Sequence, residues 1–475
     1  MSEAGDVVAL RLPFELISMI FILCLPLRGR VRPHPHKVPL NLAGVCARWR
    51  EAALGIPELW TSIFLELVRQ TPPHVVALRP SCVALMDLWF TRAAGRRLSI
   101  SITCAKHCLR LPGLLATMEA YRTQWGRVEL EIPLHDILAF KQITGPFPSL
   151  SSLTLKPTDQ SSPFRTSGLH TEVAVQSPRL KALQVPEFTF GNLGLPRLLP
   201  RNLTAVQLVY RGTTFPGVVA MGGVPMPPVL TITSSFLTPL LHHLPHLLHL
   251  DLTASNLPSG PSTPRLRASL ITLRINEDQI LESLDIPTLQ HLHLTLTSRA
   301  TLCDFIARSQ CQLTSLSVEI PNSIDNNTLA SVLSTTPELH TLVLCLILTT
   351  PFRLNAIQRC ELLFDVSLVP RLRNLVVNER VTFPAYERWT DLLESRKSTG
   401  LIYAELYASP SPVGFPKQLV PPWVEIEARW ESLAACGMQP RVIIGHYAWP
   451  WNAKDLDPGG DLDSGFIEPR KLRPY

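Results

Sequence analysis

The chain of 475 residues predicts an α/β fold: three helices at the N-terminus, then an irregular solenoid of strand–helix units with a parallel concave sheet. Three observations predict it. Between residues 12 and 60 the apolar residues follow helical spacing. From residue 150 onward the pattern Leu-x-x-Leu-x-Leu recurs at Leu150, Leu180, Leu203, Leu247, Leu270, Leu289, Leu313, Leu339 and Leu372, with Val or Ile in place of some leucines. The composition, 46% hydrophobic and 17% charged, is that of a chain that folds, and its length suggests two domains or one domain with an extended array.

In the first helix Leu12, Leu16, Ile20 and Leu23 keep near i, i+4 spacing, with Ile17 and Phe21 beside them. Pro13 stands where a helix begins, because its missing N–H is not needed there, and Glu15 in the first turn suits the helix dipole. Leu42, Val45, Cys46, Trp49 and Ala53 repeat the scheme, followed by Pro57-Glu58-Leu59-Trp60. So small a unit buries little by itself. Its apolar surplus is expected to meet a partner; the alternative is a plain helical core without one.

These residues resemble an F-box of the kind abundant in mushroom-forming fungi. Leu12, Pro13, Glu15, Leu16, Ile20 and Phe21 match the first half of the family pattern. Val45, Cys46, Trp49 and Arg50 match the second half, and Pro57, Leu59 and Trp60 its close. The resemblance implies a helical module that docks on the Skp-type adaptor of a cullin–RING ubiquitin ligase. The adaptor-binding residues it implies are Leu12, Pro13, Leu16, Ile17, Ile20, Phe21, Val45 and Trp49. The chain departs from the family in a proline-rich, basic insertion over 28–39, expected to loop out and read as a solvated loop before a nuclear address.

The expected organisation is an F-box over 8–64, a linker over 65–80, a strand/helix transition over 81–145, repeats over 146–380, a capping region over 381–445 and a flexible tail over 446–475. Helices are expected over Cys82–Arg92, Leu114–Gln124, Leu134–Ile143, Phe236–Leu244, Thr328–Leu333, Tyr386–Arg396 and Val424–Ala435. Strands are expected over Leu98–Ile102, Val128–Ile132 and Arg441–Gly445.

Successive first leucines of the pattern lie 19 to 33 residues apart, apart from one gap of 44 after Leu203 that has room for a degenerate unit near 229–232. These spacings fall in or near the range of leucine-rich repeats. A proline precedes the first leucine by two in six units, at Pro148, Pro178, Pro245, Pro287, Pro337 and Pro370, where the start of a strand tolerates it. Each unit exposes an apolar edge that the next covers. The Leu-x-Leu pairs are expected to point inward, and the residue between them outward on the concave sheet. That outward series is Thr154, Gln184, Gln207, Asp251, Arg274, His293, Ser317, Val343 and Val376. Asp251, Arg274 and His293, with His249, Thr272 and His291 beside them, are the candidate target-binding residues; Arg274 is the anchor, because its planar fork grips a carboxylate or phosphate. The bland alternative is a solvated ladder of opposite charges.

Little else carries chemistry. Cys104, His107 and Cys108 lack a fourth ligand at zinc spacing, and Pro245 breaks the cluster His242, His243, His246 and His249. Phosphate-loop, nucleophile-elbow and zinc-protease motifs do not occur. No enzyme activity, cofactor or metal is therefore expected. The net charge of +6 does not favour nucleic acid, and the longest apolar stretch, 339–347, is too short to span a bilayer. The start of the chain shows no secretory pattern, and the ten cysteines form no Cys-x-x-Cys pair. They read as buried thiols in a reducing compartment, cytoplasmic or nuclear.

The expectation for function is a substrate receptor of a Skp–cullin–F-box type ubiquitin ligase, with the adaptor, the cullin behind it and an unidentified protein substrate as partners. The alternatives are a leucine-rich-repeat scaffold outside ubiquitination and a metal-dependent hydrolase using the His and Cys clusters.

Overall fold

The computed structural model describes residues 12–26, 30–67, 80–104, 112–133, 136–137, 140, 143, 145–158, 176–186, 199–209, 234–253, 265–276, 278–321, 324–347, 361–379, 386–408, 424–444 and 447–449. Most of the expected linker, the helix expected over 134–143 apart from isolated residues, the degenerate unit near 229–232 and the tail after 449 lie outside them. The chain divides into two compact units, Met1–Leu289 and Gln290–Tyr475.

The first unit opens with α1 (Phe14–Leu23), α2 (Leu40–Ala43), α3 (Ala47–Gly55) and a 3-10 turn over Pro57–Trp60. It continues through β1 (Ser62–Leu67), α4 (Pro80–Arg92), β2 (Leu98–Cys104), α5 (Pro112–Ala120), β3 (Trp125–Ile132), β4 (Ser152–Pro157), β5 (Ala182–Pro186), β6 (Ala205–Val209), α6 (Ser234–His243) and β7 (His249–Thr253). After β8 (Leu266–Arg267) comes β9 (Thr272–Ile275), and β10 (Leu284–Asp285) pairs with β8. Strands β1 to β7 and then β9 lie side by side in chain order, all parallel.

The second unit contains β11 (His291–Thr295), α7 (Arg299–Ser309), β12 (Ser315–Pro321), α8 (Asn326–Ser334), β13 (Thr341–Ile347), β14 (Asn374–Glu379), α9 (Tyr386–Ser395), β15 (Tyr403–Ala408), α10 (Val424–Ala435), β16 (Gln439–Ile444) and β17 (Tyr447–Trp449). Strands β11 to β16 pair in chain order and parallel, and β17 closes the edge antiparallel. Asp325 caps α8, its carboxylate accepting the Thr328 N–H at 2.8 Å, and α7 ends on Gln310 in the left-handed conformation. No helix among the described residues is long and apolar enough to cross a membrane.

Every unit of the repeated pattern forms a strand, and the strands are in phase. Leu153, Leu183, Val206, Leu250 and Leu273 occupy one register position, and Leu292, Leu316, Leu342 and Leu375 the matching one in the second unit. All are buried, as are their partners two residues on. Leu292→Ala is expected to cost about 2–5 kcal/mol, since it leaves a cavity in a packed row. An unchanged chemical-denaturation midpoint would contradict this packing.

The six prolines owe their position to a turn rather than to the strand. The first leucine's N–H donates to the carbonyl three residues earlier, as in Leu150 to Phe147, Leu180 to Ser177, Leu247 to Leu244, Leu289 to Ile286, Leu339 to Thr336 and Leu372 to Val369. Each proline is then the second residue of a four-residue turn, where its fixed φ is already right and no N–H is needed. A second device repeats at the start of the strands: one carbonyl accepts two successive N–H groups of the next strand, as Thr204 does from Leu248 and His249 and Thr314 from His340 and Thr341.

Three expectations are corrected. The sheet begins at β1, inside the range assigned to the helical module and its linker, and β1 pairs with β2. Described residues 30–39 of the insertion do not all loop out. Val31 is buried and its carbonyl accepts the Phe64 N–H at 2.7 Å. Arg30 reaches both Glu129 oxygens at 3.0 Å, Arg32 pairs with Glu66 at 2.9 Å, and Arg32 lies over the Phe64 ring. The segment covers the free edge of β1, which an exposed strand otherwise offers to other chains. Burial by itself would raise the Glu129 pKa, but Lys156, Arg30 and Arg127 outweigh it and hold the carboxyl below its usual range. Finally, Cys104 is disulfide-bonded rather than a thiol, whereas Cys24, Cys46, Cys82, Cys303, Cys311, Cys345 and Cys436 are thiols.

Candidate functional site

Two surfaces carry the residues singled out in the sequence. The first is α1. Ile17 and Phe21, one turn apart, point into the helical module, where the Phe21 ring meets Trp49 edge to face at 5.0 Å between centroids. Trp60 is fully buried beneath, its indole N–H donating to the Ala53 carbonyl at 2.9 Å. Cys46 starts α3 by accepting the Trp49 N–H on Sγ, and Arg48 donates to the Leu12 carbonyl at 2.6 Å.

The opposite side of α1 is also apolar, and it is open. Leu16 is 45% exposed, Met19 59%, Ile20 40% and Leu23 81%. Their i, i+3, i+4, i+7 spacing makes one continuous stripe. Val45, 61% exposed, lies in the link between α2 and α3, and Pro13 is exposed at the head of α1. Leu12 and Trp49 are half-buried, and the Trp49 indole N–H has no acceptor among the described residues. Of the eight residues implied to bind an adaptor, Ile17 and Phe21 are therefore corrected: they form the module's core. Met19 and Leu23, which the family pattern does not contain among its fixed positions, belong to the exposed stripe instead. Helical periodicity alone identifies them.

The second surface is the sheet face that bears the residue between each Leu-x-Leu pair. In the first unit His249 on β7 stands opposite Thr272 on β9, and Asp251 opposite Arg274. His249 Nδ1 and Thr272 Oγ1 share a hydrogen bond of 3.0 Å, and partial burial lowers the His249 pKa. Gln207 donates to Asp251 Oδ2 at 2.6 Å; Arg274 Nη1 lies 3.8 Å from that same oxygen.

His291 and His293 belong to β11 of the second unit, and each is described there. His293 was expected on an accessible face; it is 4% exposed. Its Nδ1 is 2.7 Å from Ser317 Oγ, and its Nε2 is 3.7 Å from Glu319 Oε1, while Thr295 donates to the other Glu319 oxygen at 2.8 Å. Val343 and Val376, also expected outward, are buried with Cys345 and with Tyr403 against them. At this register the second unit thus passes from His293 and Ser317 on β11 and β12 to the apolar Val343 and Val376 on β13 and β14, and then to the buried Glu405 on β15, which the alternation of one strand does not foretell.

The histidines in the last turn of α6 and just after it do not converge. His242 and His246 are exposed, and His243 bonds the Leu199 carbonyl at 2.9 Å. His107 and Cys108 lie outside the described residues, and among the described residues no three His, Cys, Asp or Glu side chains gather as metal ligands.

Fold and surfaces together define a mixed α/β protein: recurring strand units form parallel sheets, and a helical module carries an exposed apolar stripe. Comparison with protein-family models finds no match, and comparison with curated proteins finds none either.

Proposed function

We propose that the protein is a substrate receptor of a Skp–cullin–F-box type ubiquitin ligase, with α1 to α3 docking on the Skp-type adaptor and the sheet face holding a protein target. One observation carries the reading: Leu16, Met19, Ile20 and Leu23 form an open apolar stripe on a helix whose other face already fills the module's core. A stripe of large apolar side chains on a soluble module marks an interaction site. The resemblance of the same residues to an F-box supplies the identity of the partner. In this reading the protein contributes proximity and orientation rather than bond chemistry.

Co-expression with a Skp-type adaptor tests it. The wild-type chain is expected to co-purify with the adaptor, and Leu16→Asp or Ile20→Asp to abolish that while the sheets stay folded. A charge placed in an apolar interface costs several kcal/mol, on the order of a thousand-fold in affinity. Ile17→Ala, by contrast, is expected to act through stability. Unchanged co-purification of both aspartate variants removes the reading, and a wild-type chain that ignores the adaptor favours a scaffold instead.

A further inference from the structure

Among the described residues Arg274 is short of acceptors. Its side chain is 18% exposed, and its Nε is buried with no hydrogen-bond partner among the described residues. Its contact with Asp251 Oδ2, at 3.8 Å, is longer than a hydrogen bond, and Gln207 already holds that oxygen at 2.6 Å. A guanidinium has five N–H donors in a fixed fork and does not shed its charge. Donors left unmet at a largely buried position are costly and call for a partner.

His249 is the diagonal neighbour of Arg274 on this face. Its Nδ1 is engaged by Thr272, and its Nε2 makes no hydrogen bond among the described residues. From Arg274 the same register runs through Asp251, Gln207 and Gln184 to Thr154, half-buried polar side chains on successive strands. Such a row presents a carboxylate, two amides and a hydroxyl to an extended chain lying across the strands.

We infer that Arg274, with His249 and Thr272 beside it, is an oxyanion-binding site that takes a carboxylate or phosphoryl group on an acidic stretch of a protein. The fork of Arg274 grips two oxygens of the group, and one of them satisfies the buried Nε–H. Asp251 sets the orientation of the guanidinium and, as a like charge, limits how strongly a second anion is held. The inference rests on the receptor reading only in taking the acidic stretch as part of the target.

The test uses the full chain and three fluorescent peptides of about ten residues: polyglutamate, a Gly/Ser peptide with a central phosphoserine, and polylysine. Fluorescence anisotropy at low and at physiological ionic strength reads the affinity. The wild type is expected to bind polyglutamate or the phosphoserine peptide and not polylysine, more weakly in higher salt. Whichever of the two binds tighter identifies the group. Arg274→Gln is expected to weaken binding about ten-fold or more, as losing a charged hydrogen-bond pair does.

The inference is overturned if the wild type binds neither anionic peptide, or if Arg274→Gln binds as the wild type does. Should that variant not fold, the His249→Ala and Thr272→Val double variant serves: weakened binding supports the site, and unchanged binding removes it. Adaptor co-purification is measured on the same samples. Anionic-peptide binding without adaptor keeps the site and removes the receptor reading; adaptor without anionic-peptide binding does the reverse.

Discussion

Arg396→Met is expected to lower the unfolding free energy by about 2–5 kcal/mol. Arg396 follows α9 and is fully buried. Its guanidinium donates from Nε to the Leu363 carbonyl at 2.8 Å, from Nη1 to Val369 at 2.9 Å and from Nη2 to Asp365 at 2.9 Å. One side chain thus satisfies three carbonyls of the segment that leads into β14, and its charge sits at a helix C-terminus, where the dipole favours it. Methionine fills much of the volume but donates nothing, so the carbonyls lose partners they cannot replace with water. Burial lowers the Arg396 pKa, with Asp365 opposing, but a guanidinium stays charged across the working pH range, so the loss is expected to be the same at pH 6 and 8. Arg396→Lys, a point donor in place of a fork, is expected to fall between the two. Denaturation by urea measures all three; equal midpoints would show that these bonds do not hold the segment.

Trp89→Ala is expected to cost about 3–5 kcal/mol. Trp89, on α4, is buried, meets the Trp60 ring edge to face at 4.7 Å and donates its indole N–H to the Ser62 carbonyl at 2.9 Å. It therefore joins the end of the helical module, the first residue of β1 and α4 within one core. Removing it takes a large aromatic volume out of a close-packed core. Trp89→Phe keeps the packing and loses the hydrogen bond, for an expected cost of about 1–3 kcal/mol because the Ser62 carbonyl is left bare. Thermal melting followed by near-ultraviolet circular dichroism separates the variants. A phenylalanine variant as damaged as the alanine one would mean that the hydrogen bond, not the ring, carries the junction.

The parts legible in the sequence are those written in periodicity. The Leu-x-Leu pairs fixed the nine repeat strands and their inward faces, because a strand has a side-chain period of two and both leucines need burial. The helices over Tyr386–Ser395 and Val424–Ala435 were likewise expected, from their apolar stripes. β1 was overlooked although Ile63, Leu65 and Leu67 alternate, because the family pattern ending at Trp60 drew the boundary too early. β15 offered too little signal: on the inner face of Tyr403–Ala408 the described side chains Ala404 and Leu406 are buried, one of them small, and the strand takes its ladder from β14 and β16. α7 offered a short signal: its buried stripe of Leu302, Phe305, Ile306 and Ser309 keeps helical spacing but holds three large apolar residues within two turns.

What the sequence determined by itself was therefore each repeat strand's inner face and the turns that phase the repeats, both local properties of the chain. The tertiary structure alone decided what meets the outer faces. It turned Ile17 and Phe21 inward and left Met19 and Leu23 open, and it laid Val31 along β1. It enclosed His293, Val343 and Val376, and among the described residues it left Arg274 with fewer acceptors than its fork has donors. Whether a side chain opposite the core meets water, another segment or nothing is set by residues far away in sequence, and a local period cannot contain that information.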